Sequence, residues 1–244
     1  IRFEERIDDE FSPLDLTEEL EDEVELNLIY PHWKTGTIPL SHRMSAIFPT
    51  ALESPRVRFY LIDSDTNEKF AGWVVRNEKY IFGLKQWYED KGLMPGSKVW
   101  IKKGENPGEI YIRAESHRST KEWVRTALIG ADGGVVYATL KQQVNAAFDD
   151  RMMIYMPAEF SSLEEAWLQN KKSAPMFEQV IVDTLRELAK LNTQSHVHAR
   201  ELYSAMNLVM RVPPGPILAM LASRPWFVHV GDLHFRFDDS TDSL

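Results

Sequence analysis

The sequence predicts an α+β chain in two parts: a β-rich front half cut by short helices, and a helical tail closed by a strand pair. Three observations carry that reading. The segment Arg56 to Ile62 (RVRFYLI) is rich in β-branched and aromatic residues, and the turn cluster Asp63-Ser64-Asp65-Thr66-Asn67 ends it. Phe177, Val180, Ile181, Thr184, Leu185 and Leu188 fall at i, i+3, i+4, i+7, i+8 and i+11, the stripe of an amphipathic helix. Trp226 to Val230 and Leu233 to Phe237 flank Gly231-Asp232, which reads as a two-residue hairpin loop.

Taken in order, residues 1–26 hold twelve acids against Arg2 and Arg6. A block of like charge this dense predicts a solvated, mobile tail. A sharper reading has it compete with nucleic-acid phosphates for a basic face. Val24, Leu26, Leu28 and Tyr30 alternate with other positions, predicting a strand that leads into Pro31. After the Arg56 strand, Lys69 to Val75 completes a hairpin. Leu84 to Lys91 reads as a short helix stopped by Gly92, and Met94-Pro95-Gly96-Ser97 turns the chain into the strand Lys98 to Lys102. Glu105-Asn106-Pro107-Gly108 turns it again, into Glu109 to Arg113. Residues 27–118 therefore form one β-rich domain.

Residues 119–170 read as a small β-rich bridge. Val124 to Ile129 and Val135 to Leu140 flank the turn Ala131-Asp132-Gly133-Gly134, an apolar stretch runs from Met152 to Met156, and Ser161-Ser162-Leu163-Glu164-Glu165 is a capping box opening a short helix. Lys171 to Pro175 looks like a linker. In the tail, residues 176–238, a second helix places Leu202, Met206 and Val209 on one side. Pro213-Pro214-Gly215-Pro216 breaks the chain, and a third helix, Ile217 to Ala222, starts at a tolerated first-turn proline. Three helices followed by a hairpin are the element order of a winged helix.

Composition narrows the function classes. The 244 residues include no cysteine, which excludes thiolate zinc sites and cysteine nucleophiles and fits a reducing compartment. No apolar run approaches the roughly 18 residues of a membrane helix, so a cytoplasmic protein is expected and no membrane partner. The net charge of -9 argues at first against nucleic acid. Its distribution reverses this, because residues 27–120 carry 14 Lys or Arg against 10 Asp or Glu. His196 with His198 and His229 with His234 could pool metal ligands, but no carboxylate has ligand spacing. Asp63, Asp65 and Glu68 lie where turns favour such residues, and Gly130, Gly133 and Gly134 make a turn rather than a phosphate cradle. Neither a catalytic residue, a metal site nor a cofactor is expected.

Ile38-Pro39-Leu40 through Phe48, then RVRFYLIDSDTNEKFAGWVV (56–75), YIFGLKQWYEDKGLMPGSKVWI (80–101) and GEIYIR (108–113) together resemble the plant "B-three" DNA-binding pseudobarrel. The family's "G-L-x-x-G-D-x-V-x-F" motif is similar to Gly92-Leu93-Met94-Pro95-Gly96-Ser97-Lys98-Val99-Trp100-Ile101, with Ser97 in place of Asp. That resemblance implies two arms gripping the major groove: Lys34, Thr35, His42 and Arg43 before the first helix, and Arg76, Asn77, Lys79 and Tyr80 after the Trp-ending strand. The side chains agree in kind, since Arg and Asn suit bidentate contacts to guanine and adenine while Lys and Thr suit phosphates. Trp33, Trp73, Trp87 and Trp100 read as barrel core. Residues 176–238 resemble a HARE-type winged helix, related to the N-terminal domain of the bacterial RNA polymerase delta subunit, through HVHAREL (196–202) and WFVHVGDLHFRF (226–237). The third helix is apolar where a groove-reading helix projects Arg, Lys, Asn or Gln, which points that module toward protein.

The first functional expectation is a non-catalytic double-stranded DNA-binding protein that regulates transcription. The second is an interaction adaptor docking on RNA polymerase or another assembly. A third is the specificity module of a restriction or defence system, since the same pseudobarrel serves there too.

Overall fold

In the computed structural model, residues 21–49, 51, 54–131, 133–157 and 176–240 are described. The acidic stretch 1–20, the capping box at Ser161 to Glu165 and the linker at Lys171 to Pro175 lie outside the described residues. The architecture is mixed α+β, with a curled seven-stranded half-barrel sheet and five α-helices among the described residues. The described residues divide into two compact units, the first drawn from those up to Leu93, Ser97–Ser119 and Asn145–Asp149 and the second from the other described residues.

The first unit is built on seven strands: β1 (Glu23–Asn27), β2 (Thr37–Pro39), β3 (Arg56–Asp63), β4 (Lys69–Val75), β5 (Tyr80–Phe82), β6 (Lys98–Lys103) and β7 (Glu109–Arg113). They lie in the order β1-β6-β7-β3-β4-β5-β2, with β3 and β7 parallel and every other neighbouring pair antiparallel. Strict alternation explains the core. Phe59 and Leu61, Val74, Ile81, Val99 and Ile101, and Ile110 and Ile112 all point to one face and are buried. Two short helices, α1 (Tyr30–Thr35) and α2 (Lys85–Asp90), accompany the sheet, and α2 contributes the buried Trp87 and Tyr88. The Tyr88 hydroxyl donates to the Thr37 carbonyl at 2.9 Å, and full burial pushes its phenol well above the usual range.

Two expectations need correction here. The strand foreseen into Pro31 ends at Asn27, and Pro31 sits in the first turn of α1, where its missing N–H costs no hydrogen bond. That strand also begins at Glu23, inside the stretch read as a mobile tail, and buries Val24 and Leu26 against the core. Helix α1 ends at Gly36, whose φ of 65° is left-handed. A Cβ there would lie 2.4 Å from the Lys85 backbone nitrogen, so both conformation and close approach require glycine.

The second unit holds most of a long hairpin, β8 (Ser116–Ile129) and β9 (Val135–Ala146), with the foreseen turn but both strands longer away from it. Three helices follow: α3 (Phe177–Ala189), α4 (Ala199–Val209) and α5 (Pro214–Ser223). A three-stranded sheet completes it, β10 (Val197–His198), β12 (His234–Phe237) and β11 (Phe227–Gly231) in that order. The predicted stripe of α3 is buried from Val180 through Leu188. Helix α4 is buried on nearly every side from Leu202 to Leu208, well beyond its apolar stripe. The hairpin is tied to it within this unit: Tyr137 donates its hydroxyl proton to the Ala205 carbonyl at 3.2 Å, and Arg125 pairs with Glu201 at 2.6 Å. The terminal loop is shifted by one residue from the expected Gly231-Asp232. Gly231 pairs with His234, leaving Asp232 (φ 43°) and Leu233 (φ 59°) as the loop, both left-handed as a type I′ turn demands.

Candidate nucleic-acid interface

Strand pairing decides which arm residues meet. Pro39 of β2 lies opposite Tyr80 of β5, and just past them the Leu40 amide donates to the Lys79 carbonyl at 2.8 Å. This joins the segment Leu40 to Arg43 to the segment Arg76 to Tyr80. Lys34 and Thr35, by contrast, lie before β2, at its opposite end. Thr37 pairs there with Phe82, and the Gly36 carbonyl accepts from Leu84. At about 3.3 Å per residue along an extended chain, Thr35 is up to ~16 Å from Leu40. Thr35 also spends its hydroxyl on the Pro31 carbonyl at 2.8 Å and lies 2.8 Å from the Thr37 hydroxyl. The first arm is therefore split: Leu40, which leads into His42 and Arg43, is tied to the second arm, Arg43 itself reaches Glu21, and Lys34 and Thr35 lie at the far end of β2.

The members of the joined patch differ in freedom. His42 is half-buried and precedes the 3-10 turn Arg43–Ala46, its carbonyl accepting from the Ser45 hydroxyl at 2.6 Å. Arg43 reaches Glu21 at 3.2 Å, with the arginine side chain 16% exposed and the glutamate 53%. Arg76 is half-buried and donates from Nη1 to the Ala51 carbonyl at 2.8 Å, so part of its fork anchors the loop before β3. Asn77, Glu78 and Lys79 form the exposed crest of the β4–β5 turn. Lys79 is held at φ 52° by its amide bond to the Arg76 carbonyl at 3.2 Å. Glu78 thus sits within the patch, whereas Glu68 lies at the other end of the β3–β4 hairpin, beyond the Ile62–Lys69 pair. Roughly eight residue steps, on the order of 26 Å, separate Glu68 from Arg76.

Of the acidic group, Asp63 and Asp65 are engaged within the fold, and Glu68 takes part through its backbone alone. Asp63 is buried and its carboxylate accepts from the Asp65 amide (2.8 Å), the Trp87 indole (2.8 Å) and Lys91 (2.9 Å). Burial works against its charge, but the bonds from Lys91, Trp87 and the Asp65 amide outweigh it and hold the carboxyl below its ordinary value. Burial likewise disfavours the Lys91 ammonium. Its bonds to Asp65 at 2.8 Å and to Asp63 raise it above the usual lysine value.

Among the histidines, His196 and His198 both pack edge-on against His234, with ring centroids at 5.4 and 4.9 Å, while His229 stacks against Phe235. His198 caps α4, its Nδ1 accepting from the Arg200 amide at 3.1 Å while the Glu201 carboxylate accepts from the His198 amide. Among the described residues no group of three or more His, Asp or Glu could hold a metal ion. No single helix among them is long and apolar enough to cross a membrane.

The tryptophans divide differently from the expectation. Trp87 is buried, and Trp33 packs on the core with its indole donating to the Leu93 carbonyl at 2.6 Å. Trp73 and Trp100, however, stand on the outer face of the sheet, where Arg113 lies 4.5 Å over the Trp100 ring. Arg56 and Arg58 share that outer face and were missed as candidates. Their alternation with Val57 and Phe59 was the signal that could have found them. No protein-family model and no curated protein matches the chain.

Proposed function

We propose that the chain is a non-catalytic, cytoplasmic double-stranded DNA-binding protein that regulates transcription, with its joined arms reading the major groove. The observation that carries this reading is the 2.8 Å bond from Leu40 to Lys79, which ties the loop leading to His42 and Arg43 to the turn that bears Arg76, Asn77 and Lys79. Asn77 and the remaining donors of Arg76 suit adenine and guanine edges, while Lys79 and Arg43 suit phosphates. Glu78, at the crest, suits the amino group of cytosine. The curled sheet and the position of α2 between β5 and β6 support the resemblance to the B-three pseudobarrel.

In the second unit, the order α3, β10, α4, α5, β11, β12 supports the winged-helix reading. Helix α5 carries no basic residue, with Ala219 exposed and Leu218 and Met220 half-exposed. That surface favours a protein such as RNA polymerase over a DNA groove for this unit. Titration of labelled duplex DNA by fluorescence anisotropy tests the first assignment. Co-sedimentation with RNA polymerase, with and without Ala219→Glu, tests the second. Loss of co-sedimentation in the variant with duplex binding intact is expected, and equal co-sedimentation of both forms removes α5 from the interface.

A further inference from the structure

Strands β3, β4 and β5 turn one face into the core, and their other face joins flat rings to cations. Cross-strand pairing sets the rows: Arg58 opposite Trp73, which is opposite Phe82, then Tyr60 opposite Ala71, and Arg56 opposite Val75. Phe82 is 45% exposed and Tyr60 40%, both unusual for rings on a sheet with a completed core. The Trp73 and Phe82 ring centroids lie 6.0 Å apart at 40°. Tyr60 is flanked by two cations, Lys69 Nζ at 4.3 Å and Arg58 Cζ at 5.5 Å from its centroid.

The charge on this face is of one sign. No Asp or Glu occupies an outward position of the three strands, and neither Arg56 nor Arg58 has a carboxylate partner among the described residues. Glu109, opposite Tyr60 on β7, is held by Lys69 at 2.6 Å and Asn106 at 2.8 Å. An exposed aromatic cluster alone marks contact with some partner. Interleaved arginines narrow the choice to a polyanion, and exposed rings to one whose own flat faces are free. A duplex hides its base faces in the stack, whereas a single strand presents them.

We propose that the outer face of β3, β4 and β5 binds single-stranded nucleic acid, with bases stacking on Tyr60, Trp73 and Phe82 and phosphates meeting Arg56 and Arg58. The rings Tyr60, Trp73 and Phe82 lie away from the arm crest at Asn77 to Lys79, although Tyr80 of the second arm lies across Val75 from Arg56 on the same sheet.

The test is anisotropy titration of the full chain with labelled oligo(dT) of about 20 nucleotides, a length that spans such a platform. Phe82→Ala and Arg58→Glu serve as the site variants. Both positions are exposed and Arg58 has no carboxylate to lose, so at least one variant stays folded. Each is expected to weaken oligo(dT) binding by roughly 10-fold or more, and Arg58→Glu also to flatten the salt dependence. Lys79→Gly, in the arm, leaves oligo(dT) binding unchanged. Absence of oligo(dT) binding at low salt overturns the proposal, as does binding that Lys79→Gly removes and Arg58→Glu leaves intact. Self-association in sedimentation velocity that Phe82→Ala abolishes, without strand binding, assigns the face to a second copy and equally overturns it.

Discussion

The Leu40 amide and the Lys79 carbonyl, 39 positions apart in sequence, share a 2.8 Å hydrogen bond, so two loops leave the sheet side by side at one end of the β2–β5 pairing. The bond is made by backbone alone and engages no side chain of either loop, while Asn77 and Lys79 stand exposed at the crest. Because Lys79 is already left-handed at φ 52°, Lys79→Gly removes its charge without straining the turn.

Glu21 brings a carboxylate to Arg43. An exposed pair is worth about 1 kcal/mol or less. Glu21→Gln is therefore expected to tighten duplex DNA binding by no more than about five-fold, with the gain fading as salt rises. Anisotropy at two ionic strengths reads both effects. A truncation that tests the acidic arm should stop at residue 20, because removal through 26 deletes β1 and its buried Val24 and Leu26.

Asp63 and Lys91 give the first unit a defined pH window. The Asp63 carboxyl is held below its ordinary value when folded, so its contribution is complete above about pH 4 and is lost as pH falls through the folded value. Lys91 is raised, so its contribution is complete below its ordinary lysine value and is lost as pH climbs through the folded one. Asp63→Asn leaves Lys91 with Asp65 alone and is expected to cost about 3 kcal/mol at pH 7. In urea melts the gap between wild type and variant should narrow as the pH falls through the lowered folded value of Asp63. A constant gap would show that shape rather than charge sets the cost.

Two backbone positions make opposite predictions. Gly36→Ala places a methyl 2.4 Å from the Lys85 backbone in a left-handed conformation, and about 2 kcal/mol or more of stability should be lost. Leu233, left-handed at φ 59°, carries a strain of about 1 kcal/mol that glycine relieves. The gain from Leu233→Gly is partly offset by the entropy of the unfolded chain. Thermal melts should therefore move down for the first and slightly up for the second.

Much of this fold was legible because β3 is rich in β-branched and aromatic residues and ends in a clear turn cluster, and because period-3.6 spacing is strong in α3. Helix α1 was not legible: six residues carry too little periodicity, and Pro31 reads equally as a turn or a first helical turn. The hairpin loop was misplaced by one residue because Leu233 has no preference for the conformation it adopts, whereas Gly231 advertises one. For the site, the sequence named the loops but not their pairing. The separation of Thr35 from Arg43 follows from β2 running between them, and Arg76 gave no sign that the Ala51 carbonyl would claim part of its guanidinium. Trp73 sits in an apolar run that points to the core, yet the neighbouring Gly72 is the residue that meets Phe59.

The measurement that bears most directly on the joined arms is anisotropy titration of random-sequence duplex DNA at two salt concentrations. It compares the full chain with a Lys79→Gly/Asn77→Ala variant, both positions being exposed turn residues. Salt-sensitive binding by the full chain, weaker in the variant and with a salt slope lower by about one unit for the lost phosphate contact, is the predicted result. Equal binding by both forms, or no duplex binding by either, would contradict the assignment of this patch to DNA.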